Sequence, residues 1–229
     1  MLDWPLLRAP EKNMTGESPS AAQLTAIADP FVRELAALGR LRGYPKNTVF
    51  ITEGDSSDSV FVILSGRVKI FLSDTEGHEM ILDTPGPGEY VGEMALDGNP
   101  RSASVMTMET TAFSVVGRDP IREAIRRNPD FALDMISKII DRARLATNSV
   151  KDLALLDVYG RVARLLLNMA VENNGKLEIP EKLTQQEIAE RVGASRDMVS
   201  RIFRDLTTGG YIKVENRIIT ITKKPPARW

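Results

Sequence analysis

Two stretches of this chain hold side chains whose types and spacing could do chemistry. The first runs from Gly88 to Ser104 and sets Gly88, Gly92 and Gly98 among Glu93, Met94, Arg101 and Ser102. Glycines let backbone N–H groups approach a bound group closely. Glu93 can accept from ribose hydroxyls, and Arg101 with Ser102 can hold a phosphate through a charge-assisted fork plus a hydroxyl. Read alone, this is an anion-binding turn of modest specificity, because one Glu and one Arg in a β-domain also form ordinary salt bridges.

The second stretch is richer. Thr184-Gln-Gln-Glu187 has the form of a capping box, so a helix should start at Thr184, with Ile188, Ala189 and Val192 inward and Gly193 as its stop. Ser195 can cap a second helix carrying Val199, Ile202, Phe203 and Leu206, which ends before Gly209-Gly210. Helix, short glycine turn and helix is the layout of a DNA-reading helix-turn-helix. On the non-core side of the second helix lie Arg196, Arg201 and Arg204, with Asp197 beside Arg196. Arginine pairs bidentately with guanine O6/N7, and aspartate accepts from cytosine N4. Thr184, Gln186, Ser195 and Ser200 complete the expected DNA-contacting set. A simply solvated helix would more often mix Lys and Glu at i,i+4 spacing. The bland alternative is a helix pair that docks another protein. Tyr211 to Val214 and Arg217 to Ile221 read as a small hairpin, or wing.

Other elements must position these groups. Residues 1–20 are polar, carry Pro5, Pro10, Gly16 and Pro19, and read as a lead-in. An amphipathic helix is expected from Pro30 to Leu41. From about Gly43 to Val116, short β-rich runs alternate with turn signals such as Gly54-Asp55, Ser65-Gly66 and Glu76-Gly77, the pattern of a β-barrel or roll. Helices resume at Arg118-Asp-Pro120 and, after Pro129, in a long segment. There Ala132, Ile136, Ile139, Ala143, Ala146, Val150 and Leu153 recur at alternating spacings of 4 and 3, an unbroken a/d seam. The seam predicts a homodimer; the alternative is a helix packed on its own β-domain. A hinge is expected near Asp157, followed by a helix from Val158 to about Val171 and a turn over Glu172 to Lys176.

The 229 residues contain no cysteine and one histidine, His78, in the polar turn Asp74 to Glu79. Thiolate zinc sites, cysteine nucleophiles and cysteine-ligated clusters are therefore outside its chemistry, as is a multi-histidine metal site. His78 reads as a solvated loop residue. No apolar run nears the ~18 residues of a membrane helix, and the first residues lack the pattern of a secretory signal, so no membrane association and a cytoplasmic location are expected. The formal net charge of −1 hides an asymmetry. From Arg161 onward there are 13 Lys/Arg against 8 Asp/Glu, whereas the preceding residues carry 17 against 23. An acidic front and a basic back suggest two modules, the second with an affinity for polyanions.

In this order, the pieces resemble the cyclic-AMP receptor protein (CRP/FNR) superfamily of bacterial transcription regulators. The likeness runs from about Phe31 to Thr222 and rests on Gly54-Asp55, Ser65-Gly66, Val91 to Leu96, Pro100 to Ala103, Leu153 to Val158 and Gln186 to Val199. It implies an α+β chain with a cyclic-nucleotide-binding β-roll and flanking helices (21–128), a long dimerisation helix (129–156) and a winged helix-turn-helix (157–229). It places the phosphate turn on Gly92, Glu93, Arg101 and Ser102, with Met94 alongside and Glu93 on the ribose. The helix residues that close the pocket fall on Arg142, Ala143, Ala146 and Thr147. Base-reading residues fall on Arg196, Asp197 and Arg201. The expected partners are double-stranded DNA, a second copy of the chain and RNA polymerase.

There are departures from the pattern. Ala146-Thr147 stands where cyclic-AMP-responsive members place a threonine–serine pair, which removes one hydroxyl near the adenine. The loop from Glu93 to Arg101 is a residue or two shorter than in many relatives. Asp197 replaces the commoner glutamate and reaches less far. Small residues at 143 and 146 leave room for a bulkier effector, so cyclic AMP, cyclic di-GMP and no nucleotide all remain open. No haem or iron–sulfur cluster is expected. An enzyme acting on cyclic nucleotides is disfavoured by the single histidine and the lack of a Ser-His-Asp arrangement, and a dimeric scaffold would not need the arginine face.

Overall fold

A computed structural model describes residues 16–173 and 175–226; most of the lead-in, positions 1–15, lies outside the described residues. The chain divides into two compact units. One extends to Leu72 and resumes from Ile81 to Asp141; the other comprises Ser73–Met80 and the chain from Arg142 onward. The fold is mixed helix and sheet, with the β-domain first. No described helix is long and apolar enough to cross a membrane.

The first unit opens with α1 (Ala21–Thr25) and α2 (Pro30–Ala37), both capped by side chains, Ser20 and Asp29. The helix expected to reach Leu41 stops four residues earlier. Gly39 lies so close to the later strand Thr111–Val116 that a Cβ there would overlap Ser114 Oγ and the Val115 carbonyl. The chain therefore leaves the helix and enters β1 (Arg40–Tyr44), where Leu41 pairs with Ser114. Two antiparallel four-stranded sheets follow. One has the order β1, β8 (Thr111–Val116), β3 (Val60–Ser65), β6 (Tyr90–Val91); the other is β2 (Val49–Ile51), β7 (Ser104–Thr107), β4 (Val68–Ser73), β5 (Glu79–Asp83).

Strand β3 shows how the layers are assigned. Its side chains alternate faces, as in any strand. Phe61 and Ile63 join the core between the sheets with Tyr44, Val105 and Phe113. Val60 and Val62 face the helices, where they meet Leu35, Val116, Ile121 and Phe131. Both faces are covered, which is why Val60 to Leu64 reads as a continuous apolar run rather than an alternating one. His78 is exposed on the β4–β5 turn and bonds Asp74 at 2.9 Å, so that carboxylate raises its pKa.

Helix α3 (Arg118–Arg127) leads to α4 (Asp130–Leu155). Asp157 then caps α5 (Val158–Met169) by accepting from the Gly160 N–H at 2.7 Å. Helix α5 ends two residues before Val171, because Val171 begins a hairpin, β9 (Val171–Asn173) and β10 (Lys176–Ile179), around the expected turn. The second unit is completed by α6 (Gln185–Val192), α7 (Arg196–Thr208), β11 (Ile212–Glu215) and β12 (Ile218–Ile221). Its sheet runs β11, β12, β10, β9, and its core gathers Val162, Leu166, Ile188, Val199, Phe203, Leu206 and Ile219.

Candidate functional site

The turn after β6 is built around a glycine that nothing else can replace. Gly92 has φ +89°, and a Cβ there would fall 2.6 Å from Arg101 Nη1 and 2.9 Å from the Ser59 carbonyl. Removing the side chain lets Arg101 slide against the backbone, where its Nη1 donates to the Gly92 carbonyl at 2.6 Å. The following residues form a short 3-10 helix, Glu93–Asp97. Glu93 and Arg101 are 7% and 5% exposed, and the Glu93 carboxylate acts on the guanidinium, so the two sequence-predicted residues are buried near each other.

Burial pulls the Arg101 pKa down, while the carboxylates of Asp58, Glu93 and Asp55, in that order, push it back up. The guanidinium stays charged, as arginine does in proteins. Ser102 is exposed at the rim, and its hydroxyl donates to Met94 Sδ at 3.3 Å. A buried cation with spare N–H groups, next to a carboxylate, is able to hold a sugar phosphate: the cation takes the phosphate and the carboxylate takes a hydroxyl. Arg142, Ala143, Ala146 and Thr147 lie on α4 in the other unit; the Thr147 hydroxyl donates to the Ala143 carbonyl at 2.9 Å.

Helix α4 presents an uncovered apolar stripe. Its first turns are anchored by Phe131 and Met135, which enter the roll's core. Ala132 is half-buried, but Ile136, Ile139, Ala143, Ala146, Val150 and Leu153 are exposed, Ile139 at 43% and Val150 at 64%. Leu133 and Ile140 widen the stripe. Packing on its own β-domain accounts for Phe131 and Met135 and leaves the seam bare.

The expected helix pair forms with its expected caps. Thr184 Oγ1 accepts from the Glu187 N–H at 3.1 Å while Glu187 Oε2 accepts from the Thr184 N–H at 2.7 Å. Gly193 closes α6 in the left-handed conformation, φ 62° and ψ 54°. Ser195 caps α7 by accepting from the Met198 N–H at 3.3 Å. Val199, Ile202, Phe203 and Leu206 point inward, which leaves Arg196, Asp197, Arg201 and Arg204 exposed and Ser200 half-buried. Among the described residues no carboxylate engages the three arginines. Gln186 is exposed in the first turn of α6 and donates to Glu190 at 2.9 Å.

Two residues of this unit carry roles that sequence reasoning missed. Arg217 sits in the turn of the β11–β12 wing at φ 65°, next to Asn216 at φ 51°, where a type I′ turn usually has glycine. It lines an open groove of about 480 Å³ with Gln185, Ser200, Arg204 and Thr208. The signal was available, since Asn216-Arg217 separates two apolar runs. Arg161 had none. Its guanidinium donates to the carbonyls of Val192 (2.8 Å), Leu156 (3.0 Å) and Gly193 (3.3 Å), which ties the end of α6 to the residue following α4.

The comparisons with known proteins follow the same division. Residues 41–128 match the cyclic nucleotide-binding domain and residues 160–225 match the Crp-like helix-turn-helix domain. The CRP-like cAMP-activated global transcriptional regulator of Mycobacterium tuberculosis is 33% identical over 78% of this chain and 82% of its own. The cAMP-activated global transcriptional regulator CRP of Salmonella typhimurium is 30% identical over 84% and 94%. Among solved structures, the c-di-GMP responsive global regulator CLP of Xanthomonas campestris shares the fold with a TM-score of 0.72, at 23% identity over 83% of this chain and 97% of that one. With both domains matched in this order, and with relatives at about a third identity over most of both sequences, the chain belongs to the CRP/FNR family of transcription regulators.

Proposed function

We propose that this chain acts in the cytoplasm as a homodimeric DNA-binding regulator gated by a cyclic nucleotide. The observation that carries the reading is a pairing. A buried Glu93–Arg101 turn that requires glycine at 92 occurs in one chain with an exposed arginine face on a capped helix. The phosphate falls to Arg101 and Ser102, the ribose to Glu93, with Met94 at the rim. The apolar stripe of α4 provides the seam, so residues 129–156 form the dimerisation helix between a sensor (21–128) and a reader (157–229). Arg142, Ala146 and Thr147 contact the nucleotide from that helix.

The seam helix is the two-state element. In one arrangement the two recognition helices are misaligned; in the other they sit one helical turn of DNA apart, about 34 Å. A nucleotide shifts that balance only by its difference in affinity for the two states. Taking a population from 1:99 to 99:1 needs about 5.5 kcal/mol, which two sites per dimer can share. Base reading falls to Arg196, Asp197 and Arg201. Thr184, Gln186, Ser195, Ser200, Arg204 and Arg217 stand where phosphates would pass. RNA polymerase is the expected further partner.

Cyclic AMP is the preferred effector, because the relatives at 30% identity or above named here are cAMP-activated regulators. Cyclic di-GMP is the second reading. It is favoured by the small, exposed Ala143 and Ala146 on α4 and by the structural neighbour that responds to it. Calorimetry with each nucleotide, followed by selection from a random duplex pool with and without the binder, tests both. The expected result is two cyclic AMP molecules per dimer and enrichment of a palindromic duplex only in its presence. A chain that binds neither nucleotide, and whose retention of duplex is insensitive to salt, would sink the proposal.

A further inference from the structure

Arg101 already spends both hydrogens of its Nη2. A guanidinium has five N–H donors, of which Nη2 supplies two. One Nη2 hydrogen goes to Ser57 Oγ at 2.7 Å and the other to the Ser59 carbonyl at 2.8 Å. A planar guanidinium grips a phosphate through two neighbouring N–H groups, either Nη1 with Nη2 or Nε with Nη2. Both grips need an Nη2 hydrogen. In this conformation neither is available until one of the two serines lets go.

The two acceptors differ in how readily they can leave. The Ser59 carbonyl is backbone, one residue before β3, and is packed against Gly92. Ser57 is an exposed side chain in the acidic loop Glu53-Gly-Asp-Ser-Ser-Asp-Ser59. The base of that loop is pinned to Arg101 itself: the Gly54 N–H donates to the Arg101 carbonyl and the Arg101 N–H to the Asp55 carbonyl, both at 2.9 Å. A single χ1 rotation frees the Ser57 hydroxyl without disturbing those bonds. A neutral hydroxyl is also the weaker acceptor, since an anionic oxygen adds a charge–charge attraction to the same cationic donor.

We propose that Ser57 is an internal competitor for the phosphate site, and so a residue that sets the nucleotide affinity of this chain. It rests on the reading that the Glu93–Arg101 turn binds a cyclic nucleotide. The hydroxyl holds the Nη2 hydrogen that a phosphodiester needs, and it yields to an anionic oxygen. Only the fraction of molecules with Ser57 swung away is competent to bind, so apparent affinity is reduced by that fraction.

The test is stopped-flow and calorimetric binding of cyclic AMP, and then cyclic di-GMP, to the full chain, to Ser57→Ala and to Ser57→Thr. Ser57→Ala should bind roughly three- to tenfold more tightly, the fold-change of one net hydrogen bond, and the gain should lie in the association rate. Ser57→Thr keeps the hydroxyl and should return the affinity to the wild-type value. Equal binding by the wild type and Ser57→Ala would overturn the competitor role. Weaker binding by Ser57→Ala with faster dissociation would overturn it too, by making Ser57 a phosphate ligand. If neither protein binds either nucleotide, the pocket reading itself falls, an outcome distinct from equal binding by both.

Discussion

Arg101 and Arg196 carry the same guanidinium in opposite settings. Arg101 is buried, held by three acceptors and surrounded by the carboxylates of Asp58, Glu93 and Asp55. Arg196, with Arg201 and Arg204, stands in solvent, and among the described residues no carboxylate engages them. A buried cation acts over bond lengths, in a fixed geometry and with little help from long-range field, which suits one small anion of defined shape. Exposed cations act at a distance and adapt, and they are screened by salt, which suits a polyanion approached from far away.

The largest expected effect breaks the buried half of this comparison. Arg101→Ala removes the only cation of the turn from Gly92 to Ser102, and calorimetry should register a loss of nucleotide affinity of at least about 100-fold. Sedimentation should still find a folded dimer, and an unchanged nucleotide response would remove Arg101 from the site. Next in size is the link between the halves. Ile139→Asp places a charge in the middle of the apolar stripe, and the dimer should weaken by several kcal/mol; a dimer of unchanged mass at micromolar concentration would show that the seam lies elsewhere.

The exposed half is more forgiving. Arg196→Ala should cost about 1–3 kcal/mol and relax preference at one base pair, read from affinities for single-base variants of the selected duplex. A loss uniform across all variants, with the salt slope reduced by about one, would make Arg196 a phosphate contact instead. The smallest effect sharpens the contrast between the two glycine turns. At Gly193 a Cβ would meet nothing nearer than Leu153 Cδ2 at 3.5 Å. Gly193→Ala should therefore cost only the left-handed backbone penalty of about 1 kcal/mol, measured as a lower Tm. A loss of several kcal/mol would mean that this turn is as tightly packed as the one at Gly92.

The helix-turn-helix was legible residue by residue because its signals are local. A capping box, a left-handed glycine and a serine cap each act within four residues, so Thr184, Gly193 and Ser195 announce the boundaries that are observed. The exposed apolar stripe of α4 was legible for a related reason, since a 3.5-residue period names a face whatever covers it. Strand β1 was not. Arg40 and Arg42 make it look polar, and it is a strand only because β8, some seventy residues later, supplies its partner. The same limit hid the stop at Ala37, which depends on how closely Gly39 approaches Ser114.

The sequence by itself determined which residues carry charge, where the two helices of the helix-turn-helix start and stop, and that an acidic β-rich half precedes a basic helical one. Periodicity, capping and composition are properties of neighbours along the chain. Only the tertiary structure decided what each charge faces. It put Ser57 and Ser59 on Arg101, across more than forty positions, and Arg161 on the carbonyls of Val192 and Gly193, more than thirty positions away. Such contacts are made between groups far apart in the chain, after the cores have packed, and no local pattern encodes them.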